Sequence, residues 1–161
     1  MDPNACREAI VALLAQEISS LDMLASLLER EHGFLVANDV VALEAAMAER
    51  QTCVGTLVRV EDERRSLCRM HGQSADLSGL ERLLAWCDPS GSLKSRWGEC
   101  AARGARCREL NDRNGALVNA RLKRVETLLG AITGRPPEGQ TYGPAGAYGT
   151  RSAGRVITAE A

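Results

Sequence analysis

The chain has 161 residues, 45% of them hydrophobic but only 3% aromatic, and a formal net charge of −1. Its interior must therefore be filled by Leu, Val and Ala, as in helical bundles and coiled coils, which argues against an aromatic-lined pocket. The basic residues are diluted by acids and lack interleaved aromatics, so nothing resembles a nucleic-acid footprint.

Charge is nonetheless uneven. Residues 1–78 carry 7 basic and 13 acidic side chains, and residues 92–133 carry 9 basic and 4 acidic. Two readings fit: acidic and basic helices that attract along their flanks, or a basic surface for an acidic partner. The opening "MDPNACREAI" places Asp2, Arg7 and Glu8 ahead of any apolar run, unlike a signal peptide. No uncharged stretch reaches the roughly 18 residues of a membrane span. A cytoplasmic protein without membrane insertion is expected.

The first helix is announced by Asp2-Pro3, a carboxylate cap followed by proline at the first helical position. Leu14, Leu21, Leu28 and Leu35 then recur every seven residues, with Ile10 and Leu24 between them and Leu13, Leu27 and Phe34 widening the stripe. This is a coiled-coil-like seam, interrupted at Glu17 and Glu31. "AND" at 37–39 breaks it, and Asp39 can cap a second helix through Val40, Leu43, Met47, Val54, Leu57, Val60 and Leu67. The turn is short, so the two helices fold back as antiparallel neighbours.

"HGQSAD" at 71–76 ends the second helix. Ser78 with Glu81 three residues on reads as a capping box for a short third helix, stopped by "DPSG" at 88–91. The last helix runs from about Ser92 to Thr133. It is too long for either partner helix to cover fully. The tail from 134 to 161 has six Gly and three Pro in 28 residues and reads as disordered. The expected fold is all-α: an elongated antiparallel helical bundle or hairpin with coiled-coil-like packing. Its domain spans 1–133, with helices near 3–37, 40–70, 79–87 and 92–133, and the flexible tail follows.

One feature of the last helix is unexpected. Asn111, Asn114, Val118, Arg121, Val125, Leu128 and Ile132 form one seam at alternating spacings of three and four, yet it opens on two asparagines with Gly115 beside them. A buried amide must find a specific partner or cost about 1–3 kcal/mol, so such residues fix register. On a structural reading Asn111 and Asn114 pin the long helix to the first two, and Gly115 permits close approach. On a functional reading they mark where the internal seam ends and a binding surface begins.

Catalytic parts are missing. Only His32 and His71 offer imidazole, and there is no phosphate loop, nucleophile elbow or dinucleotide fingerprint. Glu29 and His32 match half of a di-iron helix motif, but position 68, three before His71, is Cys rather than Glu. They read as a solvated face. No enzyme activity, metal or cofactor is expected. The six cysteines contain no C-x-x-C pair, and Cys100 and Cys107 are too far apart along one helix for a disulfide. All six read as small buried apolar residues. A DNA-binding zipper lacks its basic region, because Arg7 is the sole base before residue 14. There remain a binding module for another amphipathic helix, or a structural coiled coil that homodimerises through its leucine seam.

Three segments resemble the FlgN family of flagellar export chaperones: "LLEREHGFLVANDVVALEAAMAERQ" at 27–51, "LVRVEDERRSL" at 57–67 and "LNDRNGALVNARLKR" at 110–124. "TYGPAG" at 141–146 follows them. The resemblance implies a cytoplasmic chaperone of the flagellar type III export system. Its clients would be the hook-filament junction proteins, hook-associated proteins one and three, bound by their C-terminal helical segments and held unpolymerised. Export-gate and ATPase-associated components would be further partners. On that footing Leu117, Val118, Leu122, Val125, Leu129 and Ile132 are the expected client-binding residues, and Tyr142 the expected export-gate contact.

Overall fold

The computed structural model describes residues 2–134. They form four helices and, among the described residues, no strand: α1 (Pro3–Ala37), α2 (Val40–Met70), α3 (Leu77–Cys87) and α4 (Ser92–Thr133). The fold is an all-α helical bundle. Contacts divide the chain into two units inside α4, between Asn119 and Ala120, upstream of the 133/134 boundary read from composition. The tail reading, Tyr142 included, lies outside the described residues.

Each helix end has a local cause. Asp2 accepts a hydrogen bond from the Asn4 N–H, and Pro3 opens α1. At the other end Asn38 adopts a left-handed conformation (φ 60°), from which its N–H and that of Asp39 return to the Leu35 and Phe34 carbonyls. The Asp39 carboxylate then accepts from Ala42 N at 3.0 Å and starts α2. Two adjacent residues thus close one helix and open the next.

The start of α3 differs from the sequence reading. Its cap is Asp76, not Ser78: Asp76 Oδ1 accepts from Gly79 N at 2.8 Å, Ser74 Oγ at 2.7 Å and Ser78 Oγ at 3.0 Å. Ser78 lies inside the first turn and donates to the true cap. These bonds hold the Asp76 carboxyl down at about 2. Gly79 is required there, because a Cβ would sit 1.8 Å from the Ser74 carbonyl oxygen. Asp88 closes α3 and receives the Leu93 N–H at 2.7 Å and the Ser92 hydroxyl at 3.1 Å, which organises the start of α4.

In the unit ending at Asn119, α1 and α2 run antiparallel. From Glu17 to Glu31 the chain climbs α1 while their ion-pair partners Arg64 and Arg50 descend α2, the pairs measuring 2.7 and 3.1 Å. Arg64 also lies 4.4 Å over the Trp97 ring, so the polar break at Glu17 is filled by a neutralised and stacked side chain. Leu80, Leu83, Leu84 and Cys87 of α3 complete a core with Ile10, Leu14, Leu67 and Leu93. By length and composition alone α1 could cross a membrane. Here its apolar positions Leu14, Leu21 and Leu28 belong to the common core.

Candidate functional site

Within the first unit, α4 lies parallel to α1 in a fixed register. Cys100 donates its S–H to the Leu14 carbonyl at 3.9 Å, Cys107 to the Leu21 carbonyl at 3.3 Å, and Asn114 its Nδ2–H to the Leu28 carbonyl at 2.8 Å. All three pairs are separated by 86 residues, and each step is one heptad on both helices. Small side chains at these α4 positions let it approach the α1 backbone closely enough for side chains to reach main-chain oxygens.

Asn114, 5% exposed, closes this ladder. With Nδ2 committed to Leu28, its Oδ1 faces His32 Nδ1 at 3.0 Å and accepts, which puts the imidazole proton on Nδ1. The amide thus joins two points of α1 at once, one on the backbone and one on a side chain. Asn111 is exposed instead. The close approach expected of Gly115 is absent: a Cβ there would meet nothing within 4 Å.

Charge sorts along the same interface. Arg103 pairs with Asp22 at 2.9 Å and Arg106 with Glu29 at 3.2 Å, so basic α4 lies along acidic α1. Glu29 and His32 therefore have separate partners, Arg106 and Asn114, and do not act as a pair. Glu31, 3% exposed, is an unusual buried carboxylate; Oε2 accepts from Arg50 while Oε1 has no hydrogen-bond partner.

All six cysteines are buried free thiols. Burial pushes the Cys6 thiol up to about 12 and the Cys100 thiol to about 11, and raises those of Cys53, Cys68, Cys87 and Cys107. The leucines of α1 are likewise committed inside the chain: Leu14, Leu21, Leu28 and Leu35 are all buried.

The expected client-binding residues divide between the units. In the first, Leu117 is half-buried and Val118 is 39% exposed. In the second, Leu122, Val125, Leu129 and Ile132 are all exposed, from 48% at Leu122 to 81% at Ile132. Leu128 belongs with them at 55%, although the sequence reading placed it on the seam without naming it a binding residue. Five large aliphatic side chains thus stand in water within three turns of helix. Scattered exposed leucines are ordinary, whereas these five lie close together on one stretch of helix. His32 was the partner missed in the sequence; its signal was its place one turn beyond Leu28 in the α1 seam.

The FlgN protein family profile matches residues 1–150. The chain belongs to the FlgN family. No curated protein and no solved structure matches it. Membership gives this FlgN protein a flagellar export chaperone kind of function, in a family of chaperones rather than enzymes.

Proposed function

We propose that this FlgN protein is a cytoplasmic chaperone that binds the C-terminal helical segments of the hook-filament junction proteins, hook-associated proteins one and three. It keeps them from polymerising prematurely and delivers them to the export apparatus. The observation that carries this reading is the exposed apolar run Leu122, Val125, Leu128, Leu129 and Ile132. An amphipathic client helix would bury it in the helix-to-helix mode. Leu117 and Val118 would extend the contact. Of Asn111, Asn114 and Gly115, Asn114 is the one that sets register in this reading, through its bonds to Leu28 and His32. Tyr142 would contact the export gate, with ATPase-associated components as further partners.

Calorimetric titration with a peptide from the C-terminal segment of a junction protein tests the proposal. Saturable binding with a negative heat-capacity change and weak salt dependence is expected. Replacing Leu129 and Ile132 together by Asp should weaken it at least tenfold while leaving the melting temperature nearly unchanged, since both side chains are already exposed. Full-strength binding by that double variant would move the site elsewhere. Homodimerisation through the leucine seam receives no support, because Leu14, Leu21, Leu28 and Leu35 are buried within the chain.

A further inference from the structure

Within the first unit, α4 answers the acids of α1 with bases at the edge of its seam. Arg103 pairs with Asp22 at 2.9 Å and Arg106 with Glu29 at 3.2 Å. Each also has a carboxylate on its own helix, Glu99 at 3.5 Å from Arg103 and Glu109 at 3.7 Å from Arg106. The second unit repeats the bases without the acids: residues 120–133 hold Arg121, Lys123 and Arg124 against Glu126 alone. Arg124 falls three heptads after Arg103, at the same place on a coiled-coil wheel. Lys123 and Arg124 are exposed, and among the described residues neither joins an ion pair. We propose that the run from Leu122 to Ile132 takes an amphipathic helix with acidic flanks, and that Arg124 is the residue that reads the flank. This rests on the run being the client surface proposed above.

The two edges of the aliphatic stripe differ. Neighbours on a helix surface are three and four residues apart. Glu126 borders one edge and has Lys123 three residues before it, so that edge can neutralise itself. Arg124 borders the other, and its neighbours at those spacings are Ala120, Arg121, Thr127 and Leu128, none of them acidic. A counter-charge for Arg124 must therefore come from the helix that covers Val125 and Leu128. A second copy of this segment suits the place poorly, because it brings the same three bases and one acid. An acidic flank suits it, as Asp22 of α1 suits Arg103. An exposed ion pair changes an equilibrium only about two- to fivefold. The aliphatic run thus supplies the affinity, and Arg124 selects among apolar helices.

The test titrates the full chain with two synthetic helical peptides, alike in their leucine heptads and differing only in glutamate or lysine at the flanking positions. The glutamate peptide should bind about tenfold more tightly, since the lysine peptide loses an attraction and meets a repulsion. At about 1 M salt, where the screening length is about 3 Å, the preference should vanish while both peptides still bind. Arg124→Glu should abolish or invert the preference. Arg108→Glu makes the same change of charge at an exposed base of the first unit and should leave it in place. Equal affinity for the two peptides, a lysine preference, or equal loss of the preference in both variants would overturn the proposal while leaving the apolar client surface standing. Binding by neither peptide would also overturn it, and a junction-protein segment titrated alongside shows whether the client surface falls with it.

Discussion

If Asn114 holds α4 to α1 by bonding both Leu28 and His32, removing either side chain should reveal the link. Asn114→Ala deletes two hydrogen bonds, of 2.8 and 3.0 Å. Each is worth about 1 kcal/mol net, so the expected loss is about 2 kcal/mol. It should not be much larger, because Leu28 lies within α1 and its carbonyl keeps a helical bond, while half-buried His32 can turn to water. His32→Ala deletes one bond and should cost about 1 kcal/mol. The double variant should cost about 2 kcal/mol, a coupling energy near 1 kcal/mol. Urea unfolding followed by circular dichroism supplies all four stabilities of the cycle. Strict additivity, with the double variant about 3 kcal/mol below wild type, would show that the His32–Asn114 bond contributes nothing.

Three further perturbations follow from the first unit. Arg50→Met leaves the Glu31 carboxylate buried without its cation and should cost about 3 kcal/mol, whereas adding Glu31→Leu should restore most of it; equal instability of the single and double variants in urea would refute this. Gly79→Ala must displace the Ser74 carbonyl and should cost about 1–3 kcal/mol, read as a lowered denaturant midpoint. Asp76 titrates at about 2 in the fold and near 3.9 when unfolded, so the unfolded chain takes up the proton first. Its contribution is present above the unfolded value and fades as pH falls toward about 2. The stability gap between wild type and Asp76→Asn should therefore narrow between pH 5 and pH 2 in urea titrations, and a constant gap would contradict the cap's role.

The helical pattern was legible because sequence punctuation and burial pattern agree. Asp2-Pro3 and Asn38-Asp39 act at the ends of α1 and α2 as their chemistry suggests, and the α1 heptads are buried. At α3 two caps competed. Ser78 with Glu81 fits a capping box, but the Asp76 carboxylate gathers three donors, and the backbone at Gly79 closes against Ser74. Spacing alone does not rank such rivals. Nor could it identify the partners of Asn114, since Leu28 and His32 meet it only once α4 is fixed on α1. Asn111 shares the periodic stripe with Asn114, yet stands in water. A period of three and four residues marks a face wide enough to hold both, and packing decides which edge is covered. The end of α4 was more legible, because its length already outran the cover that either partner helix could give, and Leu122, Val125, Leu128, Leu129 and Ile132 are exposed.

The two stretches of α4 differ in a way that bears on how clients would be chosen. Against α1, α4 presents Cys100, Cys107 and Asn114, whose donors find backbone oxygens spaced one heptad apart. A shift of α1 by one residue would strand all three, so that pairing has a single register. The exposed run in the second unit is entirely aliphatic, with no side-chain donor or acceptor among its five residues. Apolar burial without polar pins is tolerant of register, which would suit the proposed surface if it receives the two clients proposed for it. Moving the apolar stripe of a client peptide by one heptad, with its flanks unchanged, should therefore alter affinity less than tenfold. Installing Asn at position 125 should convert this tolerance into preference: affinity for most registers falls, and only a client offering a polar partner opposite recovers. Calorimetry on a set of shifted peptides measures both effects. A loss of a hundredfold or more for a one-heptad shift in the wild-type chain would mean that recognition is pinned by groups outside the aliphatic run.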